Sequence, residues 1–223
     1  MMDVHASPAR PASARAGRLA ALIALATLAA CGRAAAPAPT AAAPLSNQAV
    51  AAAPTTTGGD GQYAGNPDAS VRLTYWFDYE CPFCVQAGPV LDQVEARYGD
   101  RIVVYYRNFP LSQHHGARPA AIAAEAARRQ GRYLEMYRLL IAISPRFEPA
   151  DLRDAAAQLG LDLDRFDADV ADPAAGAAID AEYAAGERAG LVGVPTLQID
   201  GVDYTGDFDV DAISRELDAR LGR

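Results

Sequence analysis

The stretch Trp76-Phe77-Asp78-Tyr79-Glu80-Cys81-Pro82-Phe83-Cys84 decides the fold. It closes the run Val71–Phe77, which is β-branched and aromatic without a breaker and reads as a buried strand. Asp78-Tyr79-Glu80 is then a loop. A helix starts at Cys81-Pro82, because proline is favoured at the first helical position, where its missing N–H costs nothing. Val90, Leu91, Val94 and Tyr98 give that helix an apolar face, Pro89 predicts a kink and Gly99 its end. A second strand over Arg101–Arg107 completes a β-α-β unit, which expects a parallel pair with a right-handed crossover.

Downstream, an Ala-rich stretch from about His114 to Leu191 reads as helices over Ala120–Ala127, Tyr133–Ile143, Pro149–Leu159, Leu163–Val170 and Ala174–Ala189, broken at Gly131, Pro145, Gly160 and Pro173. Strand signal returns at Thr196–Ile199, Asp200-Gly201 is a hairpin turn, and Val202–Tyr204 pairs back. A last helix carries Val210, Ile213, Leu217 and Leu221 on one side. The order β-α-β, helical block, β-β-α predicts an α/β fold: a small mixed sheet with helices on both faces and a helical insert at about 114–191.

The cysteine pair carries the chemistry. At a helix start, Cys81 sits near unpaired backbone N–H groups and the positive end of the helix dipole, which favour thiolate over thiol. Cys81 is therefore expected to be the attacking sulfur, with a lowered pKa. Cys84, one turn inward, can close the disulfide and release a bound partner. Two other readings compete. A static structural disulfide would close a short loop and add little stability. A four-thiolate zinc site is excluded, since no second cysteine pair exists, but copper held by the two thiolates with His114 or His115 is possible. Adjacent histidines before a helix also read as a polar loop cap, and Glu80 as a solvated loop acid.

The ends and the charge bound the setting. Residues 1–18 carry Arg10, Arg15 and Arg18 against the single acid Asp3, and the uncharged run Leu19–Ala30 follows. That run is too short to span a bilayer and has the length of a signal-peptide core. It ends Leu28-Ala29-Ala30-Cys31-Gly32, which looks like the lipobox of bacterial lipoproteins. Residues 1–30 are thus expected to be a signal peptide and Cys31 the lipid attachment point. Residues 31–65, mostly Ala, Pro, Thr and Gly, are expected to form a flexible tether to a domain over 66–223. The chain is 51% hydrophobic, which excludes wholesale disorder, and its formal net charge is −8 with every positive residue an arginine. Such acidity gives no footprint for phosphate backbones, so nucleic-acid binding is not expected.

Together with the cysteine pair, Gly193-Val194-Pro195-Thr196 directly before a strand resembles the thioredoxin-fold superfamily, and most closely the DsbA-like thiol–disulfide oxidoreductases of bacterial envelopes. Pro89, five residues after Cys84, Arg107-Asn108-Phe109-Pro110-Leu111 with His114, and Ala123-Ala124-Glu125-Ala126 are also similar to this branch. The resemblance runs from about Asn66 to the end. It implies that Cys81 is the nucleophile, that Cys84 resolves the mixed disulfide, and that Pro195 is cis opposite them. Val194, Pro82 and Phe83 are the residues expected to meet an extended substrate. It further implies exported protein thiols as substrates, a membrane redox partner that resets the pair, no cofactor, and a monomer.

Two departures matter. Members of this branch often carry a buried acid six residues before the first cysteine, where this chain has Tyr75. Strong oxidases commonly have His where Phe83 stands, and a less stabilised thiolate makes a less oxidising disulfide. The expected function is a lipid-anchored disulfide donor facing the periplasm, with the outer membrane preferred. A reductase or isomerase, or a copper-binding or client-binding lipoprotein, are the alternatives.

Overall fold

The computed structural model describes residues 62–222. The expected signal peptide, Cys31 and most of the expected tether therefore lie outside the described residues. The elements run β1 (Tyr63–Gly65), β2 (Val71–Phe77), α1 (Pro82–Tyr98), a 3-10 turn (Gly99–Arg101), β3 (Ile102–Asn108), α2 (Ala117–Arg128), α3 (Tyr133–Ile143), α4 (Pro149–Gln158), α5 (Leu163–Ala171), α6 (Pro173–Arg188), β4 (Thr196–Ile199), β5 (Val202–Asp203) and α7 (Val210–Arg220). The sheet order is β1-β3-β2-β4-β5. β2 and β3 are parallel, as a β-α-β unit requires, and the other neighbours are antiparallel.

Alternation along β2 sorts the two faces. Leu73, Tyr75 and Phe77 join Tyr106 of β3 in the main core. Phe77 meets Tyr137 of α3 edge-on, with ring centroids 5.0 Å apart. Trp76 faces the other way, toward α6, where a Cβ on Gly186 would stand 2.6 Å from the Phe109 ring and 3.3 Å from Trp76. Glycine is what lets α6 lie that close to the sheet. Both faces of the sheet are thus covered by helices, and α2–α6 occupy the chain between β3 and β4.

One expectation needs correction, and two helix boundaries hold. The stretch assigned to the tether reaches into the fold: Tyr63–Gly65 pair antiparallel with Val103–Tyr105, and Tyr63 and Ala64 are buried. Gly65 has φ +89°, and a Cβ there would sit 2.3 Å from the Ile102 carbonyl oxygen, so this edge strand depends on a glycine. Helix α1 runs through Pro89 to Tyr98 and ends at Gly99, as expected. Pro173 stands at the expected break after α5 and opens α6 at its first turn.

Candidate active site

Cys81 is the N-cap of α1, in extended backbone conformation, with Pro82 in the first turn. This local structure comes from Asp78: its Oδ1 accepts from the N–H of Glu80 at 2.7 Å and of Cys81 at 3.1 Å, closing the loop into the helix start. Both cysteines are free thiols and both are buried, Cys81 at 5% and Cys84 at 0% exposure. Sequence spacing alone does not give that asymmetry, and it leaves Cys81 as the sulfur a partner can reach.

The Val194-Pro195 bond is cis. It brings the Val194 carbonyl to 3.7 Å from Cys81 Sγ, which donates to it. Pro195 also lines a cleft of 350 Å³ together with Phe83, Gln86, Ala87 and Phe208. Phe83 projects into solvent at 68% exposure. The chain thus brings Cys81, Cys84, Phe83, Val194 and Pro195 together at one end of the sheet, with Pro82 in the first turn between the sulfurs. A larger groove of 630 Å³ lies among α2, α4 and α5 and meets this region only through Glu80 and the segment after His114.

Burial pushes the Cys84 thiol far above the usual thiol range. The backbone N–H of Asp78 opposes that shift, while Cys81 and the Asp78 carboxylate add to it. Tyr75, six residues before Cys81, donates from its hydroxyl to the Cys84 carbonyl at 3.2 Å. Burial pushes this phenol up as well, so it is a neutral donor beside the pair.

Two side chains behave differently from their reading in the sequence. Glu80 is not a solvated loop acid: its Oε2 accepts from the Gly116 N–H at 2.9 Å. His114 is not simply a loop cap: its Nδ1 lies 2.9 Å from Asp78 Oδ2. Sequence reasoning missed Asp78 as part of the site. The available signal was an Asp three residues before a helix-starting cysteine, the pattern of a side chain that bonds the backbone of the next turn. Among the described residues no group of three His, Cys, Asp or Glu is arranged to hold a metal ion.

A family model described as thioredoxin matches residues 57–219. A thioredoxin-like oxidoreductase from Silicibacter pomeroyi superposes with a TM-score of 0.64 at 25% identity, covering 72% of this chain and 92% of that one. BdbD from Bacillus subtilis superposes with a TM-score of 0.65 at 17% identity over 73% and 93%, and the thiol-disulfide exchange protein alpha-DsbA2 from Wolbachia pipientis with 0.64 at 22% over 71% and 86%. In sequence, the chain is 36% identical over 160 residues to a protein of Mycobacterium sp. (strain KMS) named Na(+)/H(+) antiporter NhaA 1, which covers 70% of this chain. The chain spans about a quarter of the length of the curated relatives of that name. The chain belongs to the thioredoxin family, with the fold of its DsbA-like thiol–disulfide oxidoreductases.

Proposed function

We propose that the protein is a membrane-tethered thiol–disulfide oxidoreductase that passes the Cys81–Cys84 disulfide to exported proteins. One observation carries the reading: a buried sulfur pair at a helix start, whose outer member faces a backbone carbonyl beside an open apolar cleft. A substrate thiolate attacks Cys81 Sγ, the Cys81–Cys84 bond breaks, and Cys84 leaves and takes up a proton. A second substrate thiolate then attacks the substrate sulfur of the mixed disulfide, and Cys81 leaves. The substrate loses two electrons and two protons, and the pair gains the electrons. A membrane partner must take those electrons to reset the disulfide.

Burial of Cys84 supports this order, because a substrate can reach only Cys81, and Cys84 once protonated is slow to attack the mixed disulfide again. Exposed Phe83 and the Val194 backbone are suited to hold an extended, partly apolar segment, and Pro82 shapes the turn that presents Cys81. The reductase or isomerase direction is favoured by one feature: Phe83 offers no hydrogen-bond donor to a thiolate. The tether and its lipid at Cys31 rest on the sequence Leu28–Gly32, and with them a place on the periplasmic side of the envelope.

A trapping experiment tests the function. With Cys84→Ser, an unfolded client bearing a disulfide should accumulate as a mixed disulfide on Cys81, and Cys81→Ser should trap nothing. Equal trapping by both variants, or by neither, contradicts the proposal. Membrane fractionation of Cys31→Ser tests the tether separately: release into the soluble fraction is expected, and unchanged membrane association contradicts it.

A further inference from the structure

The loop before Cys81 holds a carboxylate that the exchange steps above leave without a role. The Asp78 side chain has 0% exposure. Besides the two N–H groups on Oδ1, its Oδ2 accepts from the Leu111 N–H at 2.7 Å and meets His114 Nδ1 at 2.9 Å. A carboxylate offers about four lone-pair positions, and four donors occupy them here. The Asp78 carboxylate is therefore held in one position by its four donors. His114, with 22% of its side chain exposed, is the one side chain among these donors.

This charge lies next to the sulfurs. The Asp78 N–H is directed at Cys84, and the carboxylate disfavours a Cys84 thiolate. The other ionisable groups facing Cys84 are Cys81 from the helix start, Tyr75 from β2 and Tyr137 from α3. Burial holds both phenols neutral. Glu80 is turned toward the Gly116 N–H.

We propose that Asp78 and His114 are a positioning pair that sets the balance between the dithiol and disulfide forms of Cys81 and Cys84, Asp78 supplying one negative charge beneath the head of α1 and His114 offsetting it. The equilibrium concerned is protein disulfide plus two glutathione thiols giving protein dithiol plus glutathione disulfide, with no other reactant. A negative charge at the helix head, on the oxygen that accepts the Cys81 N–H, opposes the N–H groups and dipole that favour a Cys81 thiolate there, and so raises the free energy of the dithiol form. Removing the charge and removing its partner must therefore displace the equilibrium in opposite directions.

The test equilibrates the full chain with glutathione mixtures, quenches with acid, alkylates, and reads Cys81 and Cys84 by mass. Asp78→Asn should shift the constant at least tenfold toward the dithiol, about 30 mV more oxidising. His114→Phe leaves the carboxylate without that donor and should shift the constant at least threefold the other way. His114→Gln, which restores an N–H donor, should recover most of that shift. A purely structural lesion lowers stability without opposed displacements. Displacements in the same direction, or all variants within threefold of the parent, overturn the proposal. If Asp78→Asn does not fold, the two His114 variants decide: Phe shifted and Gln restored supports it, and equal constants overturn it. The inference rests on a redox-active Cys81–Cys84 pair. A parent chain with no reversible couple refutes that reading, whereas a reversible parent with unmoved variants refutes this one alone.

Discussion

Cys81 Sγ lies 3.7 Å from the Val194 carbonyl oxygen, although the two residues are 113 apart in the chain. The helical block intervenes in sequence, yet β2 and β4 pair directly, with Trp76 opposite Thr196. That register sets the loop after β2 against the segment before β4. The sheet, rather than either loop, places the sulfur and the carbonyl together.

The two thiols should be chemically distinct. Iodoacetamide at neutral pH is expected to modify Cys81 of the reduced protein first, because Cys84 is fully buried and burial pushes its thiol up. Peptide mapping against time checks this. Unfolding in urea should make the two rates converge, and equal rates in the folded protein would contradict the assignment.

Phe83 should act on clients rather than on the fold. It is 68% exposed and lines the cleft with Pro195 and Phe208. Phe83→Ser is expected to raise KM for an unfolded client severalfold, while the unfolding free energy in urea moves by no more than about 0.5 kcal/mol, as for other exposed positions. Steady-state kinetics and denaturation on the same preparation separate the two effects.

Glu95 should make stability depend on pH. Burial raises its carboxyl from 4.5 to about 7, opposed by Arg138 and by the Tyr106 hydroxyl that bonds it. Because the folded value is raised, the unfolded chain loses its proton first. Stability is then greatest below pH 4.5, falls as the pH rises toward 7, and levels off above it. This group alone accounts for a loss of about 3 kcal/mol over that window. Glu95→Gln should flatten the profile there, which urea unfolding across pH 4–8 would reveal.

Gly186 should tolerate no side chain. The Cβ of alanine would meet the Phe109 ring at 2.6 and 2.8 Å, and that ring is stacked on Tyr183 at 4.5 Å. Gly186→Ala is expected to cost about 1–3 kcal/mol through overpacking. A thermal midpoint equal to the parent's would show that the ring moves aside freely.

The parts legible in the sequence are those with local causes. Tyr133–Ile143 and Thr196–Ile199 coincide with the expected helix and strand because apolar period and flanking breakers define them within the segment itself. The Cys81-Pro82 helix start is legible for the same reason. Tyr63–Gly65 was not, since a three-residue edge strand has too few positions to show alternation and exists only through pairing with β3. The Asp78–His114 contact spans 36 residues, and that of Glu95 with Arg138 spans 43, so neither leaves a pattern in a local window. Buried charge partners are fixed by how the helical block folds back, which spacing along the chain does not encode.

The most direct test of the central claim is a redox titration of the Cys81–Cys84 pair in the full chain against glutathione, read by alkylation and mass. The account predicts a reversible two-electron couple above the thioredoxin value of about −270 mV and below that of the strongest oxidant of this fold, about −120 mV, because Phe83 gives a thiolate no donor. A couple at or below −270 mV would contradict the donor direction, and no reversible couple would contradict the redox function itself.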